Sequence, residues 1–169
     1  MAVANTKSVE ITNLDAVPVK RNKSLTTFGR LRESVAALEI LAADDAGSVY
    51  RLMRIHSGMR LSSLEIGHDA ITGMTTADIG LYRTAEDGGA VVDVDLFASA
   101  VSLASAAALT DRTYEATATN IAQIDKAIWE LLGLTEDPQV YYDVCVTATT
   151  NAPSAGGTLA GRMRFSVGD

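Results

Sequence analysis

Two histidines, His56 and His68, stand twelve residues apart with no cysteine beside them and no marked further ligand. A zinc centre draws three or four N, S or O donors together, so this pair predicts no metal site. Asp93 and Asp95, with Asp87 nearby, resemble a fragment of a calcium loop, but the ligand spacing and the distal bidentate glutamate are missing. Helix capping is the better use for those carboxylates. Serines are plentiful, yet no Gly-x-Ser-x-Gly elbow occurs. Gly156-Gly157-Thr158-Leu159-Ala160-Gly161-Arg162 is glycine-rich, but it lacks the lysine and the Ser/Thr of a phosphate loop and leads into a strand pattern. The lone Cys145 can neither close an intrachain disulfide nor build a thiolate cluster, and reads as a small packed side chain. The expectation is therefore no catalytic residue, no metal and no cofactor.

Charge and hydropathy bound the partners. A formal charge of −7 on 169 residues argues against duplex nucleic acid, whose phosphates would be repelled over most of the surface. The charge is uneven. Up to Arg32 stand six basic residues (Lys7, Lys20, Arg21, Lys23, Arg30, Arg32) against two acidic ones (Glu10, Asp15), whereas the remainder carries eight basic and nineteen acidic residues. A basic arm on an acidic body suits docking on an acidic patch of another subunit, a copy of itself included. The start Met-Ala-Val-Ala-Asn-Thr-Lys has no apolar signal core, and no run approaches the ~18 apolar residues of a membrane span, so the expectation is a soluble chain without a membrane partner.

The elements that would position these groups are mostly strands. Val49 to Ile55 and Met59 to Ile66 are β-patterned and flank His56-Ser57-Gly58, which predicts a hairpin; Ala77 to Tyr82 follows as a third strand of a meander. Ser34 to Leu41 is helical by propensity but short and followed by the turn Asp44-Asp45-Ala46-Gly47, which favours strand. After the turn Thr84 to Gly89, Asp93 or Asp95 is placed to cap a short helix with Leu96, Phe97 and Val101 inside, and Tyr114 to Thr119 reads as a short strand. Ile121, Ile124, Ile128 and Leu131 form one helical stripe, with Asn120 as cap, Gly133 as stop and Trp129 as a core or interface anchor. Two alternating strands, Val140 to Thr149 and Thr158 to Val167, close the chain as an antiparallel pair across a long loop. The whole predicts a mainly β protein: residues 1–32 an extended N-terminal arm, and residues 33–169 an antiparallel, jelly-roll-like β-sandwich with one amphipathic helix near 121–132.

Several stretches carry a family likeness. Asn5 to Asp15, Gly29 to Ser34, Gly47-Ser48-Val49-Tyr50-Arg51, Ala77 to Tyr82, Gly88 to Ala100, Trp129 to Leu134 and Gln139 to Val144 together span nearly the whole chain, and in them it resembles the small virion structural proteins of tailed bacteriophages. The resemblance implies a non-enzymatic capsid decoration or cement component. Made in the host cytoplasm, it would sit on the capsid exterior as a symmetric homo-oligomer and bind the major capsid protein. The arm would then clamp its neighbour through Lys20, Arg21, Lys23, Arg30 and Arg32.

Two other readings stay open. A tail or fibre protein binding a host glycan requires a surface cluster of aromatics, which only Tyr50, Tyr82, Tyr114, Tyr141, Tyr142 and Trp129 can supply. A glycan hydrolase requires two carboxylates facing one cleft at roughly 5 to 10 Å.

Overall fold

The computed structural model describes residues 6–114 and 119–168. Eight strands dominate it: β1 (Arg30–Ile40), β2 (Val49–His56), β3 (Arg60–His68), β4 (Ala77–Arg83), β5 (Val91–Val101), β6 (Ala107–Asp111), β7 (Tyr141–Ala148) and β8 (Gly157–Val167). They build two four-stranded sheets, in the orders β1-β8-β3-β6 and β2-β7-β4-β5. β1 pairs with β8, β2 with β7, β3 with β6 and β4 with β5, all antiparallel. One long ribbon, first half against second half, has thus been rolled so that its rungs alternate between sheets, which is the eight-stranded jelly roll. Strand formation over Arg30–Ile40 agrees with the choice of strand over helix there.

The pairing differs from the predicted meander. β2 and β3 do not form a hairpin: the turn at His56 to Gly58 carries the chain from the second sheet to the first. β7 and β8, expected as a closing pair, also lie in different sheets. The physical reason is that Met53 and Ile55 on one strand, and Leu61, Leu64 and Ile66 on the next, are all core residues. Alternating patterns of this kind bury equally well side by side or face to face. The crossing turn is held from outside: Ser57, fully buried, donates to the Asp137 carboxylate and accepts from the Val140 amide at 3.1 Å.

The core lies between the sheets. Ile40, Leu64, Ile66, Leu159 and Met163 come from the first sheet and Ile55, Ile79, Leu81, Tyr142, Val144 and Val146 from the second, each at most 2% exposed. Of the two-faced pattern predicted for the last two strands, Tyr142, Val144, Val146, Leu159 and Met163 face the core and Arg162 and Arg164 face out, but the second face of β7 is buried as well, through Asp143, Cys145 and Thr147. Cys145 is fully buried, and burial pushes its thiol up to about 12.

Two helix expectations fail. Asp93 and Asp95 cap nothing helical, because Val91–Val101 is a strand whose pairing with β4 shifts register three times. Gly80 explains the close contact there, since any side chain on it would run into the backbone of Asp93 and Val94. The stripe at 121–132 is not one helix either. A single 3-10 turn, Ile121–Gln123, is capped by Asn120 as expected, and a four-residue helix α2 (Ile128–Leu131) follows separately. Ile121 and Ile124 remain 75% and 51% exposed, so the stripe does not pack as a unit. The α2 amides of Ile128 and Trp129 instead bond to the carbonyls of Met59 and Ser57 at 2.9 and 3.0 Å, and this tertiary anchoring overrides local periodicity. Gly133, at φ 70°, stops α2 as expected, with Gly133 and Leu134 amides returning to Glu130 and Trp129. Of the strand expected at Tyr114 to Thr119, residues 115–118 lie outside the described residues.

Candidate interaction surface

The five basic residues singled out from sequence fall into two places. Lys20, Arg21 and Lys23 belong to a segment before the first strand, whereas Arg30 and Arg32 lie in β1 itself. The segment includes a short helix, α1 (Val9–Leu14), whose first turn is capped by Ser8 accepting from the Ile11 amide at 3.3 Å. That helix buries none of its residues. The chain then folds back: the Lys20 amide donates to the Asn13 carbonyl at 3.0 Å, Asn13 Nδ2 donates to Asn22 Oδ1 at 2.8 Å, and Asn22 Nδ2 donates to the Glu10 carbonyl at 3.3 Å.

Residues 23–29 fasten this loop to the sandwich. Arg60, at the start of β3, donates from Nε to the Leu25 carbonyl at 2.9 Å and from Nη1 to the Ile124 carbonyl at 3.0 Å. Lys23 Nζ lies 3.1 Å from Glu130 Oε1. The Glu130 carboxyl sits below its usual range: burial pushes it up, but the Ala127 amide and the Lys23 and Lys126 ammonium groups outweigh that. Sequence reading missed Arg60 and Glu130, which lie 35 and 107 residues from their partners, and no local pattern marks either.

The surface so presented is apolar as well as basic. Val17, Phe28, Val9 and Val19 are 98%, 91%, 71% and 65% exposed. Phe28 adopts φ 67°, a left-handed backbone that costs a non-glycine residue about 1–2 kcal/mol, with its ring in solvent. Leu14, Val19 and Phe28, with Lys20 and Arg21 beside them, line a cup of about 330 Å³. Exposed apolar side chains gathered in this way mark contact surfaces.

Several charges elsewhere are engaged within the fold. On the outer face of the first sheet Arg162 holds Glu65, with Nε to Oε2 at 3.0 Å, and Arg164 Nε reaches Glu33 at 2.9 Å. On the second sheet the buried Asp143 carboxylate takes Arg51 at 2.9 Å and Arg54 at 2.7 Å, while Arg51 also donates to the Arg83 and Gly89 carbonyls. His56 stacks edge-on to Tyr141 at 4.9 Å, and His68 Nδ1 lies 2.9 Å from the Asp69 carbonyl. Among the described residues no three His, Cys, Asp or Glu side chains gather as metal ligands. Of the aromatics a glycan platform would need, Tyr50, Tyr82 and Tyr142 are buried and Trp129 is half-buried, while Tyr141 is 53% exposed. No helix is long and apolar enough to cross a membrane among the described residues.

No protein-family model matches the chain. No curated protein matches it either. One solved structure is similar, the Cyanophage Pam1 capsid asymmetric unit, at 14% identity over 82% of this chain and 86% of that chain, with a TM-score of 0.43. A likeness of that degree decides nothing about role, and the fold assignment rests on the strand order itself.

Proposed function

We propose that this chain is a non-enzymatic structural protein of a phage virion, a decoration or cement subunit that binds the major capsid protein and stabilises the head shell. The observation that carries the reading is the N-terminal segment: basic, apolar and unburied, yet fastened to an acidic jelly roll by Arg60 and Lys23. A frayed terminus needs neither the fastening nor an exposed Phe28 in a left-handed backbone. The sequence resemblance to tailed-phage virion proteins supplies the kind of partner, and the jelly roll, frequent in viral capsid proteins, is compatible with it without dictating it. Lys20, Arg21 and Lys23 supply long-range attraction to an acidic shell, and Val17, Val19 and Phe28 supply the buried contact once docked.

The test is cosedimentation of the full chain with undecorated capsids of the parent phage at low and high salt. Saturable binding at a fixed ratio to the major capsid protein, weakened by salt, supports the reading. Absence of binding at either salt overturns it.

A further inference from the structure

We infer that the cup between Leu14, Val19 and Phe28 takes up one large apolar side chain of the shell protein, carried on a segment in which carboxylates flank it. The inference rests on the capsid reading above and adds to it the chemistry of the bound segment.

The walls decide what can enter. Leu14, Val19 and Phe28 are 44%, 65% and 91% exposed, around about 330 Å³ of open space. An aliphatic or aromatic side chain seated there would cover these walls, and pockets filled by single anchors of that kind carry much of the energy of protein interfaces. The backbone beside the cup is already engaged. The Lys20 amide donates to the Asn13 carbonyl, the Thr26 and Thr27 amides donate to the Lys23 carbonyl, and the Asn22 side chain is bonded to Asn13 and to the Glu10 carbonyl. These amides therefore form no nest for a phosphate, whereas an apolar side chain needs no donor and gains from leaving water. The walls also stand ready. Arg60 holds the Leu25 carbonyl at 2.9 Å and Phe28 keeps a left-handed backbone at φ 67°, so little ordering is left to occur on docking.

Charge selects what flanks the anchor. Lys20 and Arg21 line the cup, and no aspartate or glutamate does. Lys7 and Lys23 hold Asp15 and Glu130, but Lys20 and Arg21 enter no ion pair among the described residues. Arg21 also borders the adjoining cleft, where Glu10 and Asp125 stand, and bonds to neither. Two free cations beside an apolar wall favour a segment with carboxylates next to its anchor and repel one with lysine or arginine there.

The test uses the full chain and a fluorescein-labelled peptide, Gly-Asp-Glu-Phe-Glu-Asp-Gly, with binding read by fluorescence anisotropy at low salt. Saturable binding is expected, roughly tenfold weaker when serine replaces the phenylalanine and lost when lysines replace the carboxylates. Phe28→Asn suits the left-handed backbone while removing the ring, and is expected to weaken the peptide by roughly tenfold at an unchanged melting temperature. Excess unlabelled peptide is expected to displace the chain from undecorated capsids, and its serine counterpart to leave it bound. No peptide binding, a serine peptide that binds equally well, or a Phe28→Asn chain that holds capsids as tightly as wild type overturns the inference. Wild-type dimers in light scattering that Phe28→Asn dissolves would assign the cup to a second copy and overturn it too. In each of these cases cosedimentation of the wild type with capsids still decides the functional reading on its own. Peptide binding by a chain that no capsid takes up overturns that reading, and with it the shell protein as the source of the segment.

Discussion

Arg60→Ala tests whether the N-terminal segment is held ready on the sandwich or merely rests there. The half-buried guanidinium donates to Leu25 and Ile124 carbonyls at 2.9 and 3.0 Å. A hydrogen bond to a charged group is worth about 1.5–3 kcal/mol, and the more exposed Ile124 contact contributes least, so about 2 kcal/mol of docking free energy is lost. That corresponds to about a 30-fold rise in the open population of residues 23–29. Native-state hydrogen exchange reads this directly, because the Thr26 and Thr27 amides bond to the Lys23 carbonyl at 3.1 and 3.0 Å and exchange only on opening. Their protection is expected to fall about 30-fold, with the strand amides of β7 and β8 unchanged. Lys23→Ala, which removes a pair whose lysine is 62% exposed, is expected to lower it by about fivefold at most. A change below about threefold in Arg60→Ala, or an equal loss across the strands, refutes the tether.

Asp143→Ala leaves two guanidiniums without their buried carboxylate; because Arg51 and Arg54 side chains are 33% and 48% exposed and can rehydrate, the expected loss is about 2–3 kcal/mol, below the full cost of breaking a wholly buried pair. Urea unfolding should show it as a lower midpoint at constant slope. Cys145 should resist thiol reagents in the native protein at pH 8 and react only as fast as the chain unfolds, since it is fully buried with its thiol raised to about 12. The same shift makes stability fall as pH rises from about 9 towards 12, where the unfolded thiol has lost its proton and the folded one keeps it. Tyr50, raised to about 12 first by burial and then by Asp44, adds to the fall above about 10, so Cys145→Ala should lessen the alkaline loss in melting temperature without abolishing it.

The strands were legible because burial on one face writes a period of two into the residues, and Leu159, Gly161 and Met163 show it plainly. Their partners were not. A three-residue turn at His56 to Gly58 fits a hairpin as well as a crossing between sheets, and the choice depends on Ser57 meeting Asp137, eighty residues away. The stripe Ile121, Ile124, Ile128, Leu131 suits a helix in isolation, but backbone bonds to the β2–β3 turn fix only its last part. At the interaction surface the clustering of Lys20, Arg21, Lys23, Arg30 and Arg32 was visible in the chain. Their division between a tethered segment and a sheet edge was not, because it depends on Arg60 and on where β1 begins.

The central claim is most directly tested by comparing the occupancy of wild type and the Lys20→Glu/Arg21→Glu double variant on undecorated capsids at low salt. Both side chains are exposed and take no part in the sandwich core, so the variant should fold normally. The account predicts occupancy at half-saturating protein reduced by roughly tenfold, with the gap narrowing as salt rises. Equal occupancy of the two proteins at low salt would contradict it.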